Sequence, residues 1–164
     1  MPPADLASLE KAFLYAREYA EKPRGWLVIT GPYGCGKTHL AAAIANYRLR
    51  RRQPVVFAVV PDLLDYLRST FNPDSRITYD ELFEGLRTAP VLILDDLGAH
   101  SSSPWAQEKL YQLINYRYNA RLPTVITSNH RLEDVDPRLA SRMSDRRLST
   151  VVTILAPDYR IDRQ

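Results

Sequence analysis

The sequence contains one cysteine and no long apolar run. A single cysteine, Cys35, cannot form an internal disulfide, which argues against a small secreted domain held together by such bonds. No segment approaches the roughly 20 apolar residues that a membrane span requires, and the N-terminus lacks the apolar core of a signal peptide. From these absences we expect a cytoplasmic protein with no membrane partner.

Neither sign of charge dominates the sequence. The 22 Lys and Arg residues exceed the 19 Asp and Glu residues by a net charge of +3, and the pI is near 9.1. This balance permits a polyanionic partner without requiring one. The chain of 164 residues, 45% of them hydrophobic, can bury a substantial core and contains no repeat, low-complexity tract or linker. We therefore expect a single domain over residues 1–164.

Apolar segments of strand character alternate with segments of helical periodicity. Strands are predicted at residues 26–30, 54–60, 91–96, 123–129 and 148–155, and helices at residues 5–21, 39–50, 61–71, 78–87, 103–120 and 136–143. Strands that are apolar throughout and alternate with helices indicate a parallel sheet covered on both faces. The predicted fold is an α/β three-layer sandwich with a five-stranded parallel sheet.

The first predicted helix is amphipathic. Leu6, Leu9, Phe13 and Ala16 recur at helical spacing, and Asp5 stands where a residue could cap the helix start. This pattern predicts that the face carrying these four residues packs on the rest of the domain.

A glycine-rich loop joins the first strand to the second helix. The stretch GPYGCGKT satisfies G-x-x-x-x-G-K-[ST], in which glycines turn backbone N–H groups toward phosphate oxygens. Lys37 would reach the outer phosphates, and the Thr38 hydroxyl would ligate Mg²⁺. The predicted cradle consists of Gly31, Pro32, Tyr33, Gly34, Cys35, Gly36, Lys37 and Thr38, with His39 beside it. The sequence therefore predicts a nucleoside triphosphate site.

Two positions in this region also have structural explanations. Cys35 fills a variable position of the motif, where a small spacer suffices, and His39 could simply pack on the helix. The helix ends in the run YRLRRR, whose arginines suit a helix C-terminus because cations complement the dipole there. A functional role for these arginines stays open as the alternative.

Polar residues follow two further strands. The run VLILDD places Asp95 near a metal and Asp96 where it could polarise a water, although Asp96 could instead cap a loop. The strand VITSN ends in Asn129, which could orient the same water or cap the next turn. Ligand sites of parallel sheets form at these strand ends, so we expect the three side chains to meet beside the γ-phosphate.

With these motifs in place, the chain resembles the AAA+ ATPases, and among them the DnaC/DnaI-type helicase loaders and the similar IstB transposition ATPases. The segments that carry the resemblance are GWLVITGPYGCGKTHLAAAIAN, VLILDDLGA, SPWAQEKLYQLINYRYNARLPTVITSN and RLASRMSD. They cover nearly the whole chain. The resemblance implies an isolated AAA+ domain of a longer protein, without a complete C-terminal helical lid.

The resemblance also implies cofactors and partners. It implies ATP or ADP with Mg²⁺ held by Thr38 and Asp95, and Asn129 in the position called sensor 1. Arg142 matches an arginine finger that acts on a neighbouring subunit of a homo-oligomer, and Arg160 lies where a sensor 2 arginine is expected. The implied partners are single-stranded DNA and a DnaB-type replicative helicase, the latter bound through a domain absent here.

Two residues depart from the family pattern. Many AAA+ proteins carry Glu where this chain has Asp96, which is one methylene shorter, so hydrolysis could be slow. His100 stands where relatives often carry an acidic residue.

Several functions remain open from sequence alone. The favoured one is an ATPase whose nucleotide state controls assembly on single-stranded DNA and the replicative helicase. The alternatives are a transposition ATPase that remodels target DNA, a P-loop kinase for a small molecule, and a scaffold that does not hydrolyse ATP. Tyr111, Tyr116 and Tyr118 beside Arg117 could stack on bases, or could pack within the protein.

Overall fold

The computed structural model describes residues 1–98 and 103–161, so that His100 lies outside the described residues. A five-stranded sheet, in which every strand pairing is parallel and the order is β2-β3-β4-β1-β5, forms the middle layer. The strands are β1 Trp26–Thr30, β2 Val56–Val59, β3 Leu92–Leu97, β4 Thr124–Ser128 and β5 Ser149–Thr153. The helices are α1 Pro3–Glu21, α2 Lys37–Arg50, α3 Val60–Ser69, α4 Tyr79–Thr88, α5 Pro104–Asn119 and α6 Pro137–Met143, with one 3₁₀ turn at Leu132–Asp134. The predicted three-layer α/β sandwich is confirmed.

Helices cover both faces of the sheet because the buried strands are apolar on both faces. In β1, Trp26 and Val28 pack with α3 to α6, whereas Leu27 and Ile29 pack with α1 and α2. Alternate residues of a strand point to opposite faces, so one short apolar strand contributes to both cores. No helix among the described residues is long and apolar enough to cross a membrane.

Side-chain caps fix the starts of three helices. Ser103 Oγ accepts a hydrogen bond from the Ala106 N–H at 3.2 Å, and Asp136 Oδ1 accepts one from the Arg138 N–H at 2.9 Å. Thr78 Oγ1 caps α4 in the same way. Each cap satisfies a backbone donor that the helix itself leaves unpaired.

The prediction for the buried face of α1 was right for Ala16 but wrong for Leu6 and Phe13. Leu6 and Phe13 are 49% and 53% exposed, whereas Ala12 and Ala16 are buried. Small side chains let the α1 backbone approach α2 and the sheet closely, which turns the bulky residues outward. The helix also begins at Pro3, which places Asp5 in the first turn and not at the cap.

The expectation of apolar, buried strands throughout was wrong for the two edge strands, β2 and β5; in β5 only Val152 is buried. Val56 and Phe57 are 37% and 36% exposed, because β2 lies at one edge of the sheet and pairs only with β3. An edge strand has a neighbour on one side alone, and sequence composition does not reveal which strand takes that place.

Arg117, which lies beside the tyrosines considered for base stacking, is fully buried and cannot itself contact bases. Its guanidinium donates hydrogen bonds to Thr124 Oγ1 and to a ring of backbone carbonyls, those of Leu86, Arg87, Ala89 and Pro123. Burial lowers the pKa of Arg117 to about 10, which still leaves it charged at neutral pH. The residue ties the ends of α4 and α5 to the start of β4.

Candidate functional site

The glycine-rich loop connects β1 to α2 at the carboxyl edge of the sheet. Gly34 and Gly36 adopt φ values of +70° and +104°, which residues with a side chain rarely adopt. A Cβ on Gly34 would also collide with the Asp158 carboxylate. The loop therefore needs glycine for its backbone conformation and for the close approach of a neighbouring segment.

Lys37 extends back into this loop. Its ammonium donates hydrogen bonds to the Gly31 and Pro32 carbonyls at 2.9 and 2.6 Å, and it lies 3.7 Å from Cys35 Sγ. Lys37 and Cys35 are both buried. The loop thus combines a positive charge with the N-terminus of α2, an arrangement that favours phosphate.

Asp95 is the buried centre of a hydrogen-bond cluster. Thr38 Oγ1 donates to its two carboxylate oxygens at 3.1 and 3.0 Å, and Thr127 Oγ1 donates to Oδ1 at 2.6 Å. The carboxylate thereby connects the start of α2 with the ends of β3 and β4. Our sequence reasoning left Thr127 out of the site, although it lies two positions before Asn129 and so shares its face of the strand.

Asp96 lies at an irregularity in β3. Its φ is +65°, in the left-handed region, and the β3–β4 pairing shifts register between Leu94 and Leu97. The Asp96 N–H donates to Thr127 Oγ1 at 2.9 Å, and Asn129 Nδ2 donates to Asp96 Oδ1 at 3.0 Å. Strained backbone of this kind concentrates at functional sites. The Asp96 carboxylate thus meets Asn129, as the sequence led us to expect, and it does so at a bulge that the sequence analysis did not predict.

Lys37, Thr38, Asp96, Thr127 and Asn129 line a cleft of about 770 Å³, whereas Asp95 is buried and is not among the lining residues. Most of the predicted site residues line it: Tyr33, Gly34, Cys35, Gly36, Lys37, Thr38, His39, Asp96, Asn129 and Arg160. Gly31 and Pro32 line an adjoining depression that Asn129 shares. His39 is exposed at the cleft and does not pack under the helix.

One wall of the cleft is apolar, and sequence reasoning missed it. It contains Met1, Leu9, Phe13, Leu40, Ala156 and Tyr159. Leu9 and Phe13 are four residues apart on α1, a spacing that the sequence did show but that we assigned to the core. A flat apolar wall beside a phosphate cradle can accommodate a purine base.

The segment after β5 returns over the glycine-rich loop. The Tyr159 N–H donates to the Gly34 carbonyl at 3.2 Å. Arg160 Nε donates a hydrogen bond to Asp158 Oδ1 at 3.1 Å, and a terminal nitrogen of Arg160 donates to Asp158 Oδ2 at 3.2 Å. This hydrogen bonding lowers the pKa of Asp158. Arg160 therefore lies at the cleft, but its charge is paired with Asp158.

Arg142 lies away from the cleft residues, on α6. Its Nε and one terminal nitrogen donate to Asn115 Oδ1 at 3.0 and 2.7 Å, and the other terminal nitrogen donates to the Arg138 carbonyl at 2.7 Å. The guanidinium also lies 5.1 Å from the ring centre of Tyr111. The structure therefore does not bring Arg142 to the cleft of its own chain.

Comparison with known proteins places this geometry in a family. Residues 12–164 match the family described as IstB-like ATP binding protein. The chain belongs to this family. The resemblance drawn from the sequence motifs is thereby confirmed.

This IstB-like chain is similar to curated helicase loaders. It is 30% identical over 134 residues to the replicative helicase loader DnaC of Escherichia coli, a match that covers 80% of this chain and 54% of DnaC. It is 30% identical over 129 residues to the replicative helicase loader DnaI of Bacillus subtilis, covering 77% of this chain and 40% of DnaI. The chain therefore spans about half the length, or less, of these relatives.

Solved structures show the same fold. A crystal structure of DnaI aligns with a TM-score of 0.74 at 29% identity, covering 90% of this chain and 85% of that one. A crystal structure of the DnaC helicase loader aligns with a TM-score of 0.70 at 28% identity, covering 90% of each chain. The predicted AAA+ P-loop architecture is confirmed.

Proposed function

We propose that this chain is the ATP-hydrolysing domain of a replicative helicase loader. The observation that carries the proposal is the convergence of Lys37, the Asp95–Thr38 pair and the Asp96–Asn129 pair at one edge of the sheet. These groups supply the cradle, the metal ligands and the water-activating pair that phosphoryl transfer requires. The similarity to DnaC and DnaI supports the loader role.

ATP would bind with its phosphates in the glycine-rich loop and its base against the apolar wall. The backbone N–H groups at the start of α2 and the Lys37 ammonium would neutralise the phosphate charge. Phe13 and Leu9 would face the base. The Tyr159–Gly34 hydrogen bond would then link the segment after β5 to the occupancy of the cradle.

Thr38 and Asp95 fit a Mg²⁺ ion. A hydroxyl and a carboxylate oxygen about 3 Å apart are oxygen donors of the kind that Mg²⁺ prefers, and this ion usually retains waters and takes phosphate oxygens as its other ligands. When bound, the ion would offset charge on the phosphates. Thr127 would keep the Asp95 carboxylate oriented through its 2.6 Å hydrogen bond.

Asp96 would act as the base in hydrolysis. Its carboxylate would accept a proton from the attacking water, whose oxygen then bonds to the γ-phosphorus as the bond to the ADP oxygen breaks. Asn129, 3.0 Å from Asp96, would fix the direction of that carboxylate and orient the water. Because Asp is one methylene shorter than the Glu found in many AAA+ proteins, turnover would be slow.

Arg142 would act in trans within a homo-oligomer. Its hydrogen bonds to Asn115 hold it at the surface of α5 and α6, where a neighbouring copy could present its cleft. An arginine that stabilises charge on the transferred phosphoryl group contributes on the order of 10³ to 10⁵ in rate. Nucleotide state would thus depend on assembly. We expect this assembly to occur on single-stranded DNA and to include a DnaB-type helicase. A part of the protein outside these residues would contact the helicase.

A second candidate is an IstB-like ATPase that remodels target DNA for transposition. The family to which the chain belongs carries that protein's name, and the cleft fits both roles equally. A P-loop small-molecule kinase is less well supported, since a trans-acting arginine has no place in such an enzyme.

Two measurements test this proposal. Phosphate release from Mg-ATP without an added acceptor is expected, and it separates an ATPase from a kinase and from an inactive scaffold. Affinity capture with the full-length protein, probed separately for replicative helicase and for transposase, is expected to recover the helicase. Recovery of transposase alone would favour the second candidate, and an absence of phosphate release by the assembled protein would contradict both.

A further inference from the structure

A second charged region lies at the amino edge of the sheet, opposite the cleft. The loops that lead from a helix into a strand are joined here by backbone hydrogen bonds. The Trp26 N–H donates to the Leu148 carbonyl at 2.9 Å, the Thr124 N–H to the Gly25 carbonyl at 3.3 Å, and the Leu92 N–H to the Pro123 carbonyl at 3.2 Å. Together with the bond from the Val56 N–H to the Val91 carbonyl at 2.9 Å, these bonds hold the loops before β1, β2, β3, β4 and β5 along one edge.

Cations dominate this surface, which we call the basic edge. It carries Lys22, Arg24, Arg50, Arg51, Arg52, Arg121, Arg146 and Arg147, all exposed. The same loops and helix ends contain three carboxylates, Glu18, Glu21 and Asp145. Asp145 is already occupied by Arg147, at 3.0 Å, and by the Tyr118 hydroxyl.

The cations of the basic edge are unpaired to a degree not seen on the rest of the described surface. Only Arg147 forms an ion pair with a described residue. Elsewhere, five arginines sit beside carboxylates, whereas the exposed Arg17 and Arg76 form no ion pair with a described residue: the pairs are Arg68 with Asp65, Arg87 with Glu84, Arg131 with Glu133, Arg138 with Asp136 and Arg160 with Asp158. Although the net charge of the chain is small, its excess of positive charge is therefore concentrated at the basic edge.

Helix dipoles account for only part of this excess. The C-terminus of a helix carries the equivalent of about half a negative charge. Arg48 suffices for α2, because it is buried in the last turn and also donates to the Ala20 carbonyl at the end of α1. Arg50 and Arg52 follow it as exposed charges with no structural partner among the described residues.

We propose that the basic edge binds the phosphate backbone of nucleic acid. A duplex carries one negative charge per about 1.7 Å of its axis, so a row of unpaired arginines gains affinity by releasing counterions. The Arg51 guanidinium lies 4.4 Å from the ring centre of Tyr47 and covers that ring. The contacts are therefore with phosphate and are independent of base sequence. Because the cleft lies at the opposite edge, binding does not require ATP and does not rest on the proposed function.

The test compares two triple variants that remove the same charge. In the first, R24Q, R50Q and R52Q remove three positive charges from the basic edge. Arg51 is left unchanged because its contact with Tyr47 could be structural. In the control, K11Q, K109Q and R131Q neutralise cations elsewhere. Binding of the 164-residue chain to labelled duplex and single-stranded DNA is measured without nucleotide between about 50 and 200 mM salt.

For duplex DNA, the plot of log affinity against log salt concentration should be less steep for the edge variant than for the parent, by roughly 2 to 3 in slope. Each phosphate contact contributes about 0.9 to the magnitude of this slope. The control variant should keep the slope of the parent protein. Equal slope changes in both variants would show only a general charge effect and would overturn the proposal, as would an unchanged slope in the edge variant.

Light scattering on the same samples provides a further check. If the edge variant loses self-association but keeps its DNA slope, the basic edge contacts a second copy of the chain and the proposal is wrong. Arg52→Gln alone, at an exposed turn, provides the same comparison if the triple variant unfolds.

Discussion

At the scale of single residues, the proposed phosphate cradle depends on one ammonium in an unusual place. Lys37 is buried and satisfied by two carbonyls of its own loop, so its charge is held inside the cradle. A lysine on the surface would have to give up side-chain entropy to reach a phosphate, whereas Lys37 is already in place.

Lys37→Ala should therefore weaken ATP binding roughly ten- to hundred-fold, the worth of a hydrogen bond to a charged group. The fold should remain, because the lost side chain bonds only within the loop. Titration with a fluorescent ATP analogue measures the affinity, and circular dichroism checks the fold. Lys11→Ala, at an exposed position of α1, is the matched control. A folded Lys37→Ala protein with the parent's affinity and turnover would remove the cradle assignment.

Asp96→Asn should bind Mg-ATP as the parent does and lose about 10²- to 10⁴-fold in hydrolysis, the usual contribution of a general base. The amide keeps the shape of the carboxylate but cannot take a proton. Asn also tolerates the left-handed backbone found here, so the bulge should persist. Phosphate release and ATP affinity are measured side by side, with Asp134→Asn as control. Hydrolysis at the parent's rate would exclude Asp96 as the base.

At the scale of secondary-structure elements, α1 has two different roles on two faces. Its buried face is built from alanines, and its bulky face borders the cleft. Packing and ligand binding should therefore respond to different substitutions in the same helix.

Ala16→Leu should destabilise the protein by about 1 to 3 kcal/mol, the usual cost of inserting a larger side chain into a filled core. Phe13→Ala should change stability little, because Phe13 is 53% exposed, but should weaken ATP binding by removing part of the apolar wall. Chemical denaturation and ATP titration of both variants measure the two effects. If Phe13→Ala destabilises the protein and leaves ATP binding intact, the apolar wall does not contact the base.

At the scale of the whole molecule, the proposed ATPase is incomplete in one copy. Arg142 is held by Asn115, and none of the residues that line the cleft is Arg142. Under the proposed function, a complete site would require a second chain that places its α6 against the cleft of the first.

Mixing inactive subunits tests this arrangement. Arg142→Ala protein has an intact cradle, and Lys37→Ala protein has an intact finger, so their mixture should recover part of the parent's hydrolysis while each alone stays inactive. The assay uses full-length protein with single-stranded DNA, and light scattering confirms co-assembly. A mixture that co-assembles but stays as inactive as its parts would show that Arg142 does not act in trans.

The sequence alone determined the order of the elements, the three-layer architecture and the central motifs of the cleft. These features are local: a phosphate loop needs glycines, a lysine and a hydroxyl at fixed spacing, and a buried parallel strand needs an unbroken apolar run. The meeting of Asp96 with Asn129 also followed from sequence, because strand ends of a parallel sheet share one edge.

Only the tertiary structure decided the rest, because those features depend on which distant segments become neighbours. The position of β2 at the sheet edge, the turning of Phe13 toward the cleft and the approach of Asp158 to Gly34 each involve residues far apart in the chain or a choice of packing partner. Periodicity specifies that a helix has an apolar face, but not whether that face meets a core or a ligand. The basic edge is the clearest case, since a net charge of +3 becomes a concentration of cations at one edge only when parallel strands bring their entry loops together.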